Sequence, residues 1–113
     1  SIDGLRIDTA INVEPEFFPS FVDAAGIFAT GEVMTGDERL ACKWGESIGS
    51  ILNYPVYYPL IRAFSSPQGD IASVVAKMNS VKESCVNTTS FATFSESHDV
   101  ARFASLTSDR SLA

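Results

Sequence analysis

Apolar and polar positions alternate at the start of the chain. Leu5 and Ile7 would share one face of a short strand over residues 2–7, with Arg6 and Asp8 on the other. Asn12 and Glu14 mark a loop. Pro15 then opens a helix in which Phe17, Phe18, Phe21, Val22 and Ala25 recur at helical spacing, with Pro19 tolerated in the first turn and Gly26 as the stop. IFATGEV, residues 27–33, predicts a second strand. Residues 34–47, with Gly36, Asp37 and Gly45, predict a long polar loop. GSILNYP, residues 49–55, predicts a third strand ended by Pro55. VYYPLIRAF predicts a helix despite Pro59, and SSPQGD, residues 65–70, a turn. Asp70 can cap a further helix whose apolar face carries Ile71, Val74, Val75, Met78 and Val81. SFATF, residues 90–94, predicts a fourth strand, and ARFASL with the last residues begins another helix.

Strand, helix, strand, loop, strand, helix, helix, strand is the βα alternation of a parallel sheet, so the expected class is α/β. In such folds ligands gather at the carboxyl ends of the strands. Asp8, Glu32 and Asp99 fall at those ends, and Asn53 ends the third strand.

Composition narrows the partners. The chain has 113 residues, enough for one modest core, and its eight phenylalanines, three tyrosines and one tryptophan argue for a packed interior. A net charge of −6 with no basic run argues against nucleic acid as a partner. No apolar run is long enough to span a bilayer. No charged-then-apolar leader precedes IDGLRI, so no signal peptide is expected within these residues. With DRSLA at the far end, the chain reads as a piece of a longer protein. Cys42 and Cys85 are either two buried thiols or a bridge closing a long loop, worth roughly 3–4 kcal/mol by chain entropy. Asn87-Thr88-Thr89 is a glycosylation acceptor pattern. The cysteine pair and the acceptor triplet together point to an oxidising, secreted setting.

Three acids at three strand ends suit acid/base work. A retaining glycosidase needs an ionised nucleophile and a protonated general acid roughly 5 Å apart. Asp8 beside Arg6 suits the first role and Glu32, at the end of an apolar strand, the second. Asp99 and His98 could hold sugar hydroxyls. The same residues also fit plainer readings: an edge-strand ion pair, a solvated loop acid, a surface His-Asp pair, or oxygen ligands for a divalent cation. Zinc is not expected from one histidine and two cysteines without ligand spacing.

GLRIDT, GEVMTGD and TFSESHD, in that order and joined by AAG, LNYPVYYPL and RFASLTSD, resemble the ordered motifs of the α-amylase family of glycoside hydrolases, and most closely those of secreted fungal α-amylases. The resemblance runs along essentially the whole chain. It implies a (β/α)8 barrel of which residues 1–113 are a central segment, about strands four to seven, incomplete at both ends. It implies Asp8 as nucleophile, Glu32 as general acid/base and Asp99 as the acid that binds and distorts the sugar. Arg6 would orient the nucleophile. His98, Met34, Gly36, Ile11 and Asn12 would stand at substrate-contact positions. The Asn12 carbonyl would be one ligand of a structural calcium, with most other ligands outside this segment. Cys42 and Cys85 would form a disulfide, and the substrate would be starch or a maltooligosaccharide. The partner would be the remainder of the barrel, without which the 113 residues alone are expected to be inactive.

Two departures stand out. The family's Lys-His pair is Ile11-Asn12 here, and its asparagine before His-Asp is Ser97. Isoleucine donates no hydrogen bond, and each lost sugar contact would cost on the order of 1 kcal/mol. The acids are kept while the acceptor side is altered. Transfer of a glucan chain by a cell-wall-associated 4-α-glucanotransferase is therefore an alternative to hydrolysis, and a non-catalytic glucan-binding or structural role is a third.

Overall fold

The computed structural model describes residues 1–107, 109 and 111. Strand β1, Gly4–Ile7, pairs in parallel with β2, Phe28–Gly31, in the register Gly4 to Phe28 and Ile7 to Gly31. Parallel bridges continue the row sideways, Gly31 to Ile51 and Leu52 to Ala92. Between these strand segments run α1, Phe18–Ala25, α2, Glu38–Ile48, α3, Tyr54–Phe64, and α4, Ile71–Ser84. The result is the expected parallel α/β arrangement, with helices crossing between strand segments.

Local chemistry explains the helix ends. Pro15 opens a single 3-10 turn, Pro15–Phe17, that leads into α1, and Gly26 closes α1 in the left-handed region with φ 63°. The Asp70 side chain accepts from Ala72 N–H at 2.9 Å and starts α4 as expected. Pro59 lies inside α3 without ending it.

Several expectations need correction. Residues 34–47 are not one loop. Asp37 accepts from Arg39 and Leu40 N–H (2.9 and 3.2 Å) and caps α2, whose buried Ala41, Cys42, Trp44, Gly45 and Ile48 lie along one face. Gly45 is the reason for a glycine in mid-helix: a Cβ there would stand 2.8 Å from the Phe91 ring. The expected third and fourth strands shrink to the bridges at Ile51–Leu52 and Ala92. Asn53 accepts from Val56 N–H and Pro55 occupies the first turn of α3, so the proline starts a helix rather than ending a strand. On α4 only Val74 and Val81 are buried, while Ile71, Val75 and Met78 stay exposed. Among the described residues beyond Asp99 the chain forms a 3-10 turn, Phe103–Ser105. The helix expected to start at ARFASL runs into residues 108, 110, 112 and 113, which lie outside the described residues.

The core gathers Phe18, Ala29, Val33, Ile48, Ile51 and Phe91 between the strand row and the helices. Trp44 Nε1 donates to the Val13 carbonyl at 2.9 Å and ties α2 to the loop after β1. Fully buried Ser50 donates from Oγ to the Ser90 carbonyl at 2.7 Å and meets the Thr30 hydroxyl at 3.0 Å, joining three neighbouring strand segments.

Cys42 and Cys85 are bridged, 43 residues apart, so the thiol alternative is set aside. The cysteines sit in α2 and at the end of α4, not in loops. Beside the bridge the Glu38 carboxylate accepts from Lys77 Nζ at 2.7 Å and from the Ser80 hydroxyl. These bonds, Lys77 first and Ser80 second, hold the Glu38 carboxyl down at about 2. Its folded pKa lies below its unfolded value of 4.5, so this α2–α4 contact contributes stability above about pH 4.5 and loses it as pH falls towards 2. Allowing for partial water access, the contribution is about 1–2 kcal/mol. Thermal melts of the Glu38→Gln variant should show a deficit of that size at pH 6–8 that narrows by pH 3 and closes towards pH 2. A deficit unchanged at pH 3 would contradict this linkage.

Candidate active site

Parallel pairing sets the carboxyl ends of β1 and β2 side by side, and Glu32 N–H donates to the Ile7 carbonyl at 2.8 Å just past those ends. Asp8 follows β1 directly and Glu32 follows β2 directly. Gly31, the residue before Glu32, has no room for a side chain. A Cβ there would lie 2.5 Å from the Ile48 side chain and 3.3 Å from that of Ala10. The third acid, Asp99, comes from the segment beyond the Ala92 bridge.

One guanidinium joins the three. Arg6 Nη1 donates to Asp8 Oδ1. Arg6 Nη2 lies 3.0 Å from Glu32 Oε1 and 3.6 Å from Asp99 Oδ2. Since both nitrogens belong to one planar fork, the nearest oxygens of Asp8 and Glu32 are within about 8 Å of each other. The hydrogen bond that Arg6 donates to Asp8, followed by the charges of Glu32, Asp8 and Asp99, raises the Arg6 pKa against a lowering by burial. Arg6 is therefore a fixed cation, and it fills the place a metal ion would need among these acids. Among the described residues no group of three His, Cys, Asp or Glu could hold a metal ion.

Burial separates the acids. The Asp8 side chain is 70% exposed and open to a ligand, whereas that of Glu32 is 7% exposed. Glu32 is nevertheless fully paired: Oε1 faces Arg6 and Oε2 accepts from Thr9 N–H at 2.9 Å. Thr9 reaches this position with φ 45°, a left-handed conformation unusual for a β-branched residue. Backbone strain is thus placed beside the candidate acid, where it aims an N–H at the carboxylate. His98 Nε2 lies 3.1 Å from Asp99 Oδ2, so the expected His-Asp pair is formed. The arrangement offers a solvent-facing carboxylate, a buried carboxylate held at two oxygens, and a third acid with an imidazole beside it. Two carboxylates of unlike environment are what nucleophilic and general-acid roles require.

The remaining candidates are placed as follows. Ile11 packs partly against the core, and Asn12 beside it is exposed. Met34 is exposed and stands two residues past Glu32. At Gly36 a Cβ would meet the Tyr58 ring at 3.4 Å. Asn12 offers a backbone oxygen at a 3-10 turn, Ala10–Asn12, but calcium takes six to eight oxygens. These residues therefore make no calcium site by themselves. Asn87 is exposed, with φ 56°. Thr9, whose N–H meets Glu32, is not among the sequence candidates. A threonine after an aspartate gives no sign of a left-handed backbone.

No protein-family model matches the chain. The chain is similar throughout to fungal α-amylases. It is 46% identical over 112 residues to "Alpha-amylase 1" of Lipomyces kononenkoae, covering 99% of this chain and 18% of that protein. It is 45% identical over 112 residues to "Alpha-amylase" of Saccharomycopsis fibuligera, covering 99% of this chain and 23% of that one. Among solved structures it matches an α-amylase from Malbranchea cinnamomea with TM-score 0.93 and 49% identity, over 98% of this chain and 24% of that chain. An α-amylase from Geobacillus thermoleovorans, solved with acarbose, shares the fold with TM-score 0.86 at 24% identity, over 93% of this chain and 25% of that chain. The chain thus spans about a fifth of the length of the curated relatives it matches.

Proposed function

We propose that residues 1–113 are the central segment of a (β/α)8 catalytic barrel, about strands four to seven. In the longer chain they cleave α-1,4-glucosidic bonds of starch-like glucans with retention of configuration. The observation that carries this reading is the meeting of Asp8, Glu32 and Asp99 on Arg6 at the carboxyl ends of neighbouring parallel strand segments. The likeness to fungal α-amylases supplies the substrate class.

In this reading Asp8 attacks the anomeric carbon as Glu32 passes its proton to the leaving oxygen. The glycosidic bond breaks and an ester to Asp8 forms. Glu32, now a carboxylate, takes a proton from water, which attacks the same carbon and releases Asp8. Arg6 keeps Asp8 ionised and aimed, and Asp99 with His98 holds sugar hydroxyls as positive charge develops on the ring. Met34, Gly36, Ile11 and Asn12 stand at substrate-contact positions, Ile11 and Asn12 on the acceptor side. The Asn12 carbonyl would be one ligand of a structural calcium, with most other ligands supplied by the rest of the barrel. The longer protein is secreted, in keeping with the Cys42–Cys85 bridge, and carries a glycan at the exposed Asn87.

The altered Ile11-Asn12 pair keeps chain transfer as the second reading, because a changed acceptor side changes how water and sugar compete for the ester. Full-length chain incubated with a defined maltooligosaccharide should yield shorter products that emerge as the α-anomer. Redistribution into longer and shorter chains would replace hydrolysis by 4-α-glucanotransfer. Binding without any turnover would replace both by a non-catalytic role.

A further inference from the structure

The segment that carries His98 and Asp99 runs from the Ala92 bridge to the 3-10 turn at Phe103, and it contains no helix or strand. Side chains brace it instead. Ser97 Oγ accepts the Asp99 N–H at 3.3 Å. Glu96 reaches across the whole loop: its Oε1 accepts the Phe103 N–H at 2.7 Å, and its Oε2 lies 3.4 Å from Arg102 Nη1. The Phe103 N–H opens the 3-10 turn, where no carbonyl of the turn can satisfy it, so a carboxylate is a favourable partner there. On the far side the turn has its own supports. The Arg102 carbonyl accepts from Ser105 N–H at 2.9 Å and from Ser105 Oγ at 2.7 Å. Phe103 and Glu96 line one small cavity with Leu60, Ile61 and Phe64 of α3.

Asp99 depends on that bracing. Its Oδ2 lies 3.1 Å from His98 Nε2, on an exposed side chain of the same loop, and 3.6 Å from Arg6 Nη2, a loose distance for a direct hydrogen bond. The place of the carboxylate in the acid cluster is therefore set by the backbone that carries it. We propose that Glu96 is a positioning residue for Asp99: its carboxylate closes the loop from Ser97 to Arg102 onto the Phe103 turn, and so sets where Asp99 meets the sugar. The inference rests on the glucan-cleaving reading above. Glu96 has its partners in Arg102 and Phe103 and acts on the sugar only through Asp99.

Two substitutions separate reach from charge. Glu96→Gln keeps the length and an oxygen for the Phe103 N–H but drops the charge, whereas Glu96→Asp keeps the charge and falls one methylene short. Both are made in the full-length chain, with Asp99→Asn and the double variant of Glu96→Asp and Asp99→Asn. Maltooligosaccharide turnover and thermal melting are read together. Glu96→Asp should lower kcat about tenfold, the size of one charge-assisted hydrogen bond, with KM moving less than about threefold. Glu96→Gln should keep kcat within about threefold of the parent, because the bond to Phe103 survives. In the Asp99→Asn background, Glu96→Asp should cost less than about twofold more, because its effect passes through Asp99. Unchanged kcat in Glu96→Asp, whatever its melting temperature, would overturn the proposal. So would the same tenfold loss in the Asp99→Asn background, or a Glu96→Gln variant slower than Glu96→Asp. Parent-like turnover in Asp99→Asn would instead remove the reading of the site on which this one stands.

Discussion

Asp8→Asn in the full-length chain should lower glucan turnover by about 10⁴-fold or more, the scale seen when a covalent nucleophile is removed. The substitution is nearly isosteric. Asparagine can still accept from Arg6 Nη1 through its amide oxygen, so the geometry around Arg6 is kept. An amide cannot form the ester intermediate at a useful rate, and this is the step that disappears. Substrate affinity should change little, because Asp99 and His98 remain. Single-turnover kinetics and equilibrium binding of a maltooligosaccharide check both halves. Turnover within tenfold of the parent would show that Asp8 is not the nucleophile.

The second large effect is expected from Glu32→Gln, and it depends on the leaving group. A glutamine has no proton to give, so cleavage of a sugar–sugar bond should fall about 10³-fold or more. A maltosyl fluoride, whose leaving group departs without a proton, should lose far less in the bond-breaking step. A parallel loss on both substrates would assign Glu32 a role other than general acid. The change should also destabilise. Glu32 accepts from Arg6 at one oxygen and from Thr9 N–H at the other. Glutamine keeps one acceptor and turns an NH₂ group towards the second donor. In a buried site that mismatch costs about 1–3 kcal/mol, readable as a drop of several degrees in the melt.

Much of this architecture is legible in residue patterns. The alternation Leu5-Arg6-Ile7-Asp8, the Pro15 start and Gly26 stop, and the Asp70 cap each act within a few residues, and each appears where local chemistry places it. The errors arise where distant contacts decide. α2 is obscured because Gly45 reads as a helix breaker, and only the Phe91 ring pressed against it explains the glycine. The third strand is overdrawn because Pro55 stops a strand or starts a helix equally well, and the Asn53 cap settles which. The acids behave in the same way. Their positions at strand ends follow from the order of elements, but the convergence of all three on one arginine depends on strand register and on a segment 90 residues away.

That shared arginine has an evolutionary consequence. Charges at positions 6, 8, 32 and 99 are coupled through one side chain, so the fitness effect of changing any of them depends on the state of the other three. A lineage that lost Arg6 would leave three anions crowded without a counter-ion, and selection would then act on all of them at once. These positions are expected to drift together or not at all, while Ile11 and Asn12, outside the cluster, are free to diverge one residue at a time.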